Sequence, residues 1–201
     1  MTTFTLPSIP VPLHWQNDPL RWQVNADSAL TITAGELTDW FIDPNGSVHI
    51  GNAPSALFTP PDVDFVLSAK VTVNLMAMYD AGVLRVQVRD DLWAKLCFEY
   101  SPKQEPMIVS VVTRGTSDDC NSVIIDGSSI YLRIARIRQA FAFHYSHDGQ
   151  VWHMVRHFGL GPLDTFEIGF SAQSPRGEQF TAVFSEIVYA ARTVQDIRSG
   201  E

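Results

Sequence analysis

The stretch Val66-Leu67-Ser68-Ala69-Lys70-Val71-Thr72-Val73-Asn74-Leu75 decides the fold class. Leu67, Ala69, Val71, Val73 and Leu75 alternate with Ser68, Lys70, Thr72 and Asn74. A period of two residues puts one set on each side of an extended backbone, the signature of a half-buried strand. Residues 83–89 repeat it, with Leu84, Val86 and Val88 inward and Arg85, Gln87 and Arg89 outward. Residues 93–100 set Ala94, Leu96, Phe98 and Tyr100 against Trp93, Lys95, Cys97 and Glu99. Residues 107–113 are apolar on both faces and predict a strand inside a sheet.

The second half of the chain follows the same pattern. Residues 129–134, 140–146, 151–158, 165–173 and 179–189 read as strands, and Asp148-Gly149 predicts a two-residue hairpin turn. Clusters such as Asp43-Pro44-Asn45-Gly46, Thr59-Pro60-Pro61-Asp62 and Ser174-Pro175-Arg176-Gly177 mark turns between the runs. Many short strands, with no helix of more than two turns, predict an all-β sandwich or barrel. Residues 194–201 read as a short helical or frayed tail. The expectation is one domain over residues 1–201, with its core at about 10–192.

Composition narrows the function classes. Of 201 residues, 45% are hydrophobic and 18% charged, enough apolar surface for a core and too much for a disordered chain. A net charge of −8 leaves no basic excess to neutralise phosphates, which argues against sequence-independent nucleic-acid binding. No apolar run approaches the ~18 residues of a membrane span. Met1-Thr2-Thr3-Phe4-Thr5-Leu6-Pro7 lacks a basic segment followed by an apolar one, so no secretory signal is expected and a cytoplasmic setting is. Cys97 and Cys120 have no CxxC spacing and are expected as free thiols. GxSxG, GxGxxG and GxxxxGK[ST] are missing, so neither a nucleophile elbow nor a bound nucleotide cofactor is expected.

Several segments together resemble one family: Thr38-Asp39-Trp40-Phe41, the run from Asp80-Ala81-Gly82 into residues 93–100, residues 109–113 with Ser117-Asp118 behind, and Tyr145-Ser146-His147-Asp148-Gly149-Gln150-Val151-Trp152. That family is labelled "regulation of enolase" and has a concanavalin A-like lectin/glucanase jelly roll. The resemblance spans roughly residues 10–192. It implies two packed antiparallel sheets, one of them concave. It implies no activity, since this jelly roll hosts lectins, glycosidases and interaction modules alike.

The outward polar residues are the candidate ligand-binding set. With the strands side by side, Lys70, Asn74, Arg85, Gln87, Lys95, Glu99 and Arg133 share one face, Trp93 stands at its rim, and Trp40 and His144 complete the set. Charged pairs, amides and aromatic plates suit sugar hydroxyls and the apolar face of a sugar ring. The same pattern also fits a solvated sheet face with a Lys95–Glu99 ion pair, and the residues alone leave both readings open. Trp22 and Trp152 are expected in the core, whereas Trp40 and Trp93 stay undecided between core and platform.

Glycoside hydrolysis needs two carboxyls flanking the bond. No ExDxxE string supplies them, and Glu99 alternates with Lys95 and Cys97. Asp90-Asp91 and Asp118-Asp119 read as loop residues, and His144, His147, His153 and His157 as hairpin histidines with no metal. The leading expectation is a non-catalytic module that binds a carbohydrate or small polar ligand. A protein–protein module touching metabolism is the second, and a saccharide-active enzyme using Glu99 or Glu167 with His144 nearby is the third.

Overall fold

The computed structural model describes residues 3–201, and alternation becomes two antiparallel sheets packed face to face. The strands are β1 (Thr3–Phe4), β2 (Leu13–Gln16), β3 (Arg21–Val24), β4 (Leu30–Gly35), β5 (Trp40–Ile42), β6 (His49–Gly51), β7 (Ser55–Phe58), β8 (Phe65–Val73) and β9 (Ala81–Arg89). Then follow β10 (Leu92–Tyr100), β11 (Pro106–Arg114), β12 (Thr116–Ile124), β13 (Ser129–Ile137), β14 (Ala140–Ser146), β15 (His153–Gly159), β16 (Glu167–Gln173) and β17 (Gln179–Ala190). Sheet I has the order β1-β2-β7-β16-β9-β10-β11-β12, and sheet II has β15-β14-β13-β8-β17-β4-β3. The pair β5-β6 forms a separate small hairpin. No helix among the described residues is long and apolar enough to cross a membrane.

The inward residues of the two sheets make the main core. Leu84, Val86, Leu96, Phe98 and Ile108 of sheet I meet Leu67, Val71, Leu132, Ile134 and Phe184 of sheet II, all essentially without solvent exposure. Each such side chain contributes about 1.5–3 kcal/mol by leaving water. Gly82 lets the sheets approach closely, because a Cβ there would lie 2.5 Å from Val71 Cγ1 and 3.2 Å from the Ala182 Cβ. On one flank the edge strands are tied together. Arg156 of β15 donates to the Asp118 carbonyl of β12 at 3.0 Å and pairs with its carboxylate at 3.0 Å. Arg114 at the end of β11 donates to the Gly159 carbonyl of β15 at 2.6 Å.

Four local expectations need correction. Asp118-Asp119 lie in β12, not in a loop, because Ser117 to Asn121 pair in register with Thr113 to Val109. Between β14 and β15 the connection runs over residues 147–152, longer than a two-residue turn, and only Gly149 takes positive φ (74°). Asp148 organises it through its carboxylate, which accepts the Gln150 and Val151 amides at 2.8 Å and the Ser146 hydroxyl at 2.9 Å. Trp22 is 38% exposed on the edge strand β3, and Trp152 is half-buried against Arg133, so neither is a core residue. Finally, residues 194–201 form no helix; they lie as a strap on the outer face of sheet II, anchored by Val194.

Candidate functional site

The centre of the outer face of sheet I is shielded from water. The β5-β6 hairpin lies over part of it and builds a second apolar cluster from Trp40 and Ile42 with Val83, Trp93, Cys97, Val109 and Val111. Trp40 donates its indole N–H to the Ala53 carbonyl at 2.9 Å and presents its ring 3.2 Å from the Arg85 guanidinium. The Ile42 amide donates to Ser117 Oγ at 2.9 Å, which fastens the hairpin to β12.

Arg85 is therefore fully buried, and no carboxylate among the described residues pairs with it. It donates to Ser55 Oγ at 2.9 Å, to Gln16 Oε1 at 3.3 Å and to Gln87 Oε1. Burial pulls its guanidinium well below the usual arginine range. Stacking on Trp40 and three neutral oxygens satisfy most of its donors, although Nε has no partner.

Beside the hairpin the cover stops short and leaves a cavity of about 550 Å³. Its floor carries Lys95 and Glu99 of β10 with Met107, Val109 and Val111 of β11; Phe41, Val48 and Ile50 of the hairpin form one wall, and Asp119 and Asn121 of β12 another. Register explains the floor: Lys95 stands opposite Val111, which stands opposite Asp119, and Glu99 stands opposite Met107.

Lys95 is the organising charge. Its ammonium, 4% exposed, donates to Asp39 Oδ1 and to Gln173 Oε1, both at 2.9 Å. Gln173 in turn donates its Nε2 to the Tyr79 carbonyl at 3.1 Å. Burial alone depresses the Lys95 ammonium, but Asp39, with help from Cys97 and Glu99, outweighs it and holds the group above the ordinary lysine range. Among the described residues the Glu99 carboxyl makes no ion pair and no hydrogen bond. Burial raises its carboxyl to about 8 against the opposing pull of Lys95, with Asp39 and Asp119 adding to the rise. Glu99 thus holds its proton to higher pH than an ordinary glutamate, and in that form its carboxyl is a donor as well as an acceptor. The Asp119 carboxyl is raised too, by desolvation first and by Asp39 and Asp118 after.

Two bulky residues at the cavity mouth hold left-handed backbone, Leu37 (φ 56°) and Tyr79 (φ 69°). Such conformations cost about 1–3 kcal/mol each and persist where neighbours fix them. At Tyr79 the fixing groups are visible: its amide donates to the Tyr100 carbonyl at 2.8 Å, and its carbonyl accepts Gln173.

The residues expected from alternation divide between the two sheets. Arg85, Gln87, Trp93, Lys95 and Glu99 share the outer face of sheet I, and Trp40 covers it from the hairpin. Of these only Lys95 and Glu99 line the cavity; Arg85, Gln87, Trp93 and Trp40 are buried under the hairpin. Lys70, Asn74, Arg133 and His144 belong to the other side of the molecule, since β8, β13 and β14 are strands of sheet II. Lys70 there pairs with Glu186 at 3.6 Å. The expected Lys95–Glu99 ion pair is replaced by Lys95–Asp39, and Glu167 sits 3.5 Å from His14, with His144 on the opposite sheet. Asp39, Gln173 and Asp119 were not foreseen. Asp39 precedes Trp40 in a segment already singled out, and Gln173 ends a recognised strand, but nothing local to either marks convergence on Lys95.

A two-layer antiparallel sandwich with a polar cluster under a partial cover is a jelly-roll class of protein. Residues 15–191 match the family described as "Protein of unknown function (DUF1349)", and the chain belongs to that family. No curated protein matches it. Among solved structures it is similar to a functionally unknown protein from Saccharomyces cerevisiae, with TM-score 0.82 and 23% identity, covering 90% of this chain and 96% of that one. It is also similar to the GH43 protein BlXynB (K247S mutant) of Bacillus licheniformis (TM-score 0.69, 17% identity, 89% and 37% covered). A third likeness is to a xylan β-1,4-xylosidase from Bacillus halodurans C-125 (0.66, 13%, 87% and 36%). The chain thus spans a little over a third of the two bacillary proteins, and at these identities the likeness is one of fold.

Proposed function

We propose that the cavity on sheet I binds a small hydroxyl-bearing ligand, of the size of one or two sugar rings. The observation that carries this reading is the Lys95–Asp39–Gln173 array beside Glu99, whose carboxyl pairs with no described residue, on the floor of a cavity of about 550 Å³ whose other walls are largely apolar. Apolar walls with a few convergent polar groups are the usual make-up of a small-molecule site. Phe41, Ile50 and Met107 offer the ring face a dry surface, and Glu99, Lys95 and Asp119 offer hydroxyls both donors and acceptors. The xylosidase among the structural neighbours acts on a saccharide, which makes carbohydrates the first ligands to test. The free thiols Cys97 and Cys120 accord with the expected cytoplasmic setting.

A panel of mono- and disaccharides followed by thermal unfolding is expected to contain a stabilising ligand. Lys95→Met and Gln173→Leu should each weaken that ligand about tenfold or more, or ~1.4 kcal/mol. Lys70→Met on sheet II should leave it unchanged. A panel with no stabilising sugar sinks the reading.

Two observations favour other readings. The raised Glu99 carboxyl is the donor half of acid-catalysed glycoside cleavage, with Asp119 as its candidate partner across the floor. Glu99→Gln separates catalysis from binding, because it abolishes turnover in an enzyme and leaves affinity largely intact. The exposed Leu37 at the cavity, with exposed Met76 and Met78 in the segment that leads to its lining residue Tyr79, favours a protein partner, in keeping with the enolase label of the resemblance. A pull-down with purified enolase, repeated with Met76→Ser, tests that reading directly.

A further inference from the structure

Arg133 lies under the C-terminal strap on sheet II. It is 1% exposed, with its guanidinium 4.1 Å from the Trp152 ring centroid, and no carboxylate among the described residues pairs with it. Its hydrogen-bond acceptor is the Gly200 carbonyl, 2.9 Å from Nη2, and the neighbouring Nε is buried without a partner. A guanidinium offers Nε–H and one Nη–H as a parallel pair that fits a two-oxygen acceptor. Here a single carbonyl oxygen uses half of that edge.

The surroundings have the same character. His144 stands directly opposite Arg133 in the β13-β14 register and donates Nε2–H to the Ile197 carbonyl at 2.7 Å. Arg192 lies close enough to repel Arg133, whose pKa falls to about 10, mainly through burial. Two desolvated donors are thus met by neutral main-chain oxygens of one chain segment, with the exposed cation of Arg192 nearby. Arg85 on sheet I differs, since its acceptors are side chains of the sheets themselves.

The strap is shaped for this seat. Gly200 takes φ +76°, and a Cβ there would collide with Arg133 Nη2 and lie 2.8 Å from the Trp152 Cβ. Between Val194 and Gly200 the half-exposed Ile197 packs on the Val194 cluster and its neighbours are exposed, so a single partly buried apolar side chain holds the tip down.

We propose that Arg133, with Arg192 beside it, forms an oxyanion-binding site for a phosphate-type group, and that residues 197–201 cover it until such a ligand displaces them. The ligand takes the Nε/Nη2 edge through two oxygens, and the Gly200 carbonyl gives way. The site is independent of the cavity on sheet I.

Inorganic phosphate is the probe, with chloride at matched ionic strength as the control. Gly200→Ala unseats the tip, so its phosphate affinity is expected to rise about tenfold over the native chain, because the competent state is no longer a minor fraction. Arg133→Gln should abolish binding in both backgrounds. In the native chain, phosphate should speed amide exchange at residues 197–201 and leave β13 protected. Equal binding with and without Arg133, or no binding to Gly200→Ala together with unchanged exchange in the native chain, overturns the proposal. Neither result bears on sugar binding at sheet I.

Discussion

The two outer faces of the sandwich use the same device with different outcomes. Each buries an arginine on a tryptophan beneath a covering segment: Arg85 on Trp40 under the β5-β6 hairpin, and Arg133 on Trp152 under the C-terminal strap. On sheet I the acceptors belong to the framework, the cover has an apolar cluster of its own, and the incomplete fit leaves a cavity. On sheet II the acceptor belongs to the cover, whose apolar contact is the small cluster of Val66, Ala135, Ala142 and Val194 with Ile197 packed on it. A buried charge satisfied by the framework stays satisfied when the surface fluctuates; one satisfied by a strap shares the strap's stability.

The sharpest way to break this comparison is to truncate both tryptophans. Trp40→Ala removes core packing, the Ala53 hydrogen bond and the Arg85 stack, and should cost about 3–5 kcal/mol in urea unfolding. Half-buried Trp152→Ala should cost no more than about 1.5 kcal/mol. Equal losses would mean that the two covers are equivalent.

Opposite pH responses sharpen it further. Glu99 is held at about 8 in the folded chain, above its value near 4.5 when unfolded, so the fold binds its proton more tightly. Its contribution is complete below the unfolded value and lost as pH rises through 8. Glu99→Gln should therefore flatten the alkaline fall in stability between pH 5 and 9, by on the order of 2 kcal/mol. His144 goes the other way. Burial lowers it to about 4, against the hydrogen bond to Ile197 and with Arg133 adding to the fall, so its contribution is complete above 6.5 and lost as pH drops through 4. The smallest effect follows: between pH 6.5 and 4 the strap should loosen by on the order of 1 kcal/mol, read as faster amide exchange at residues 197–201 and removed in His144→Gln.

The alternation in residues 66–75 and 83–100 carried the sandwich, because period two fixes which side chains face inward whatever the strand order. It carries no information on which sheet a strand joins. Lys70 and Arg133 alternate outward in their strands as Arg85 and Lys95 do in theirs, yet the crossovers place them on opposite sides of the molecule. Nor does parity reveal a cover. Outward polar residues fit a solvated face or a ligand-binding one, whereas Arg85 and Lys95 lie beneath a hairpin whose docking depends on Trp40, Ala53 and Ser117, far apart in sequence. Trp22 and Trp152 failed as core residues for a related reason: β3 is an edge strand, and residue 152 falls in a connection. Lys95 and Glu99 were legible as candidates, but Asp39, Gln173 and Asp119 reach them only through tertiary structure.

The arginine clasps between β12 and β15 bear on behaviour at high concentration. An exposed nine-residue edge invites another chain to extend the sheet. Here the guanidinium of Arg156 sits on the rim of β12 and that of Arg114 on the rim of β15, each occupying main-chain oxygen that an incoming strand would need. Of the four sheet margins, the two longest are thereby guarded by positive charge, and the remaining two end in the short segments β1 and β3. Strand addition is disfavoured where it would have the most backbone to grip.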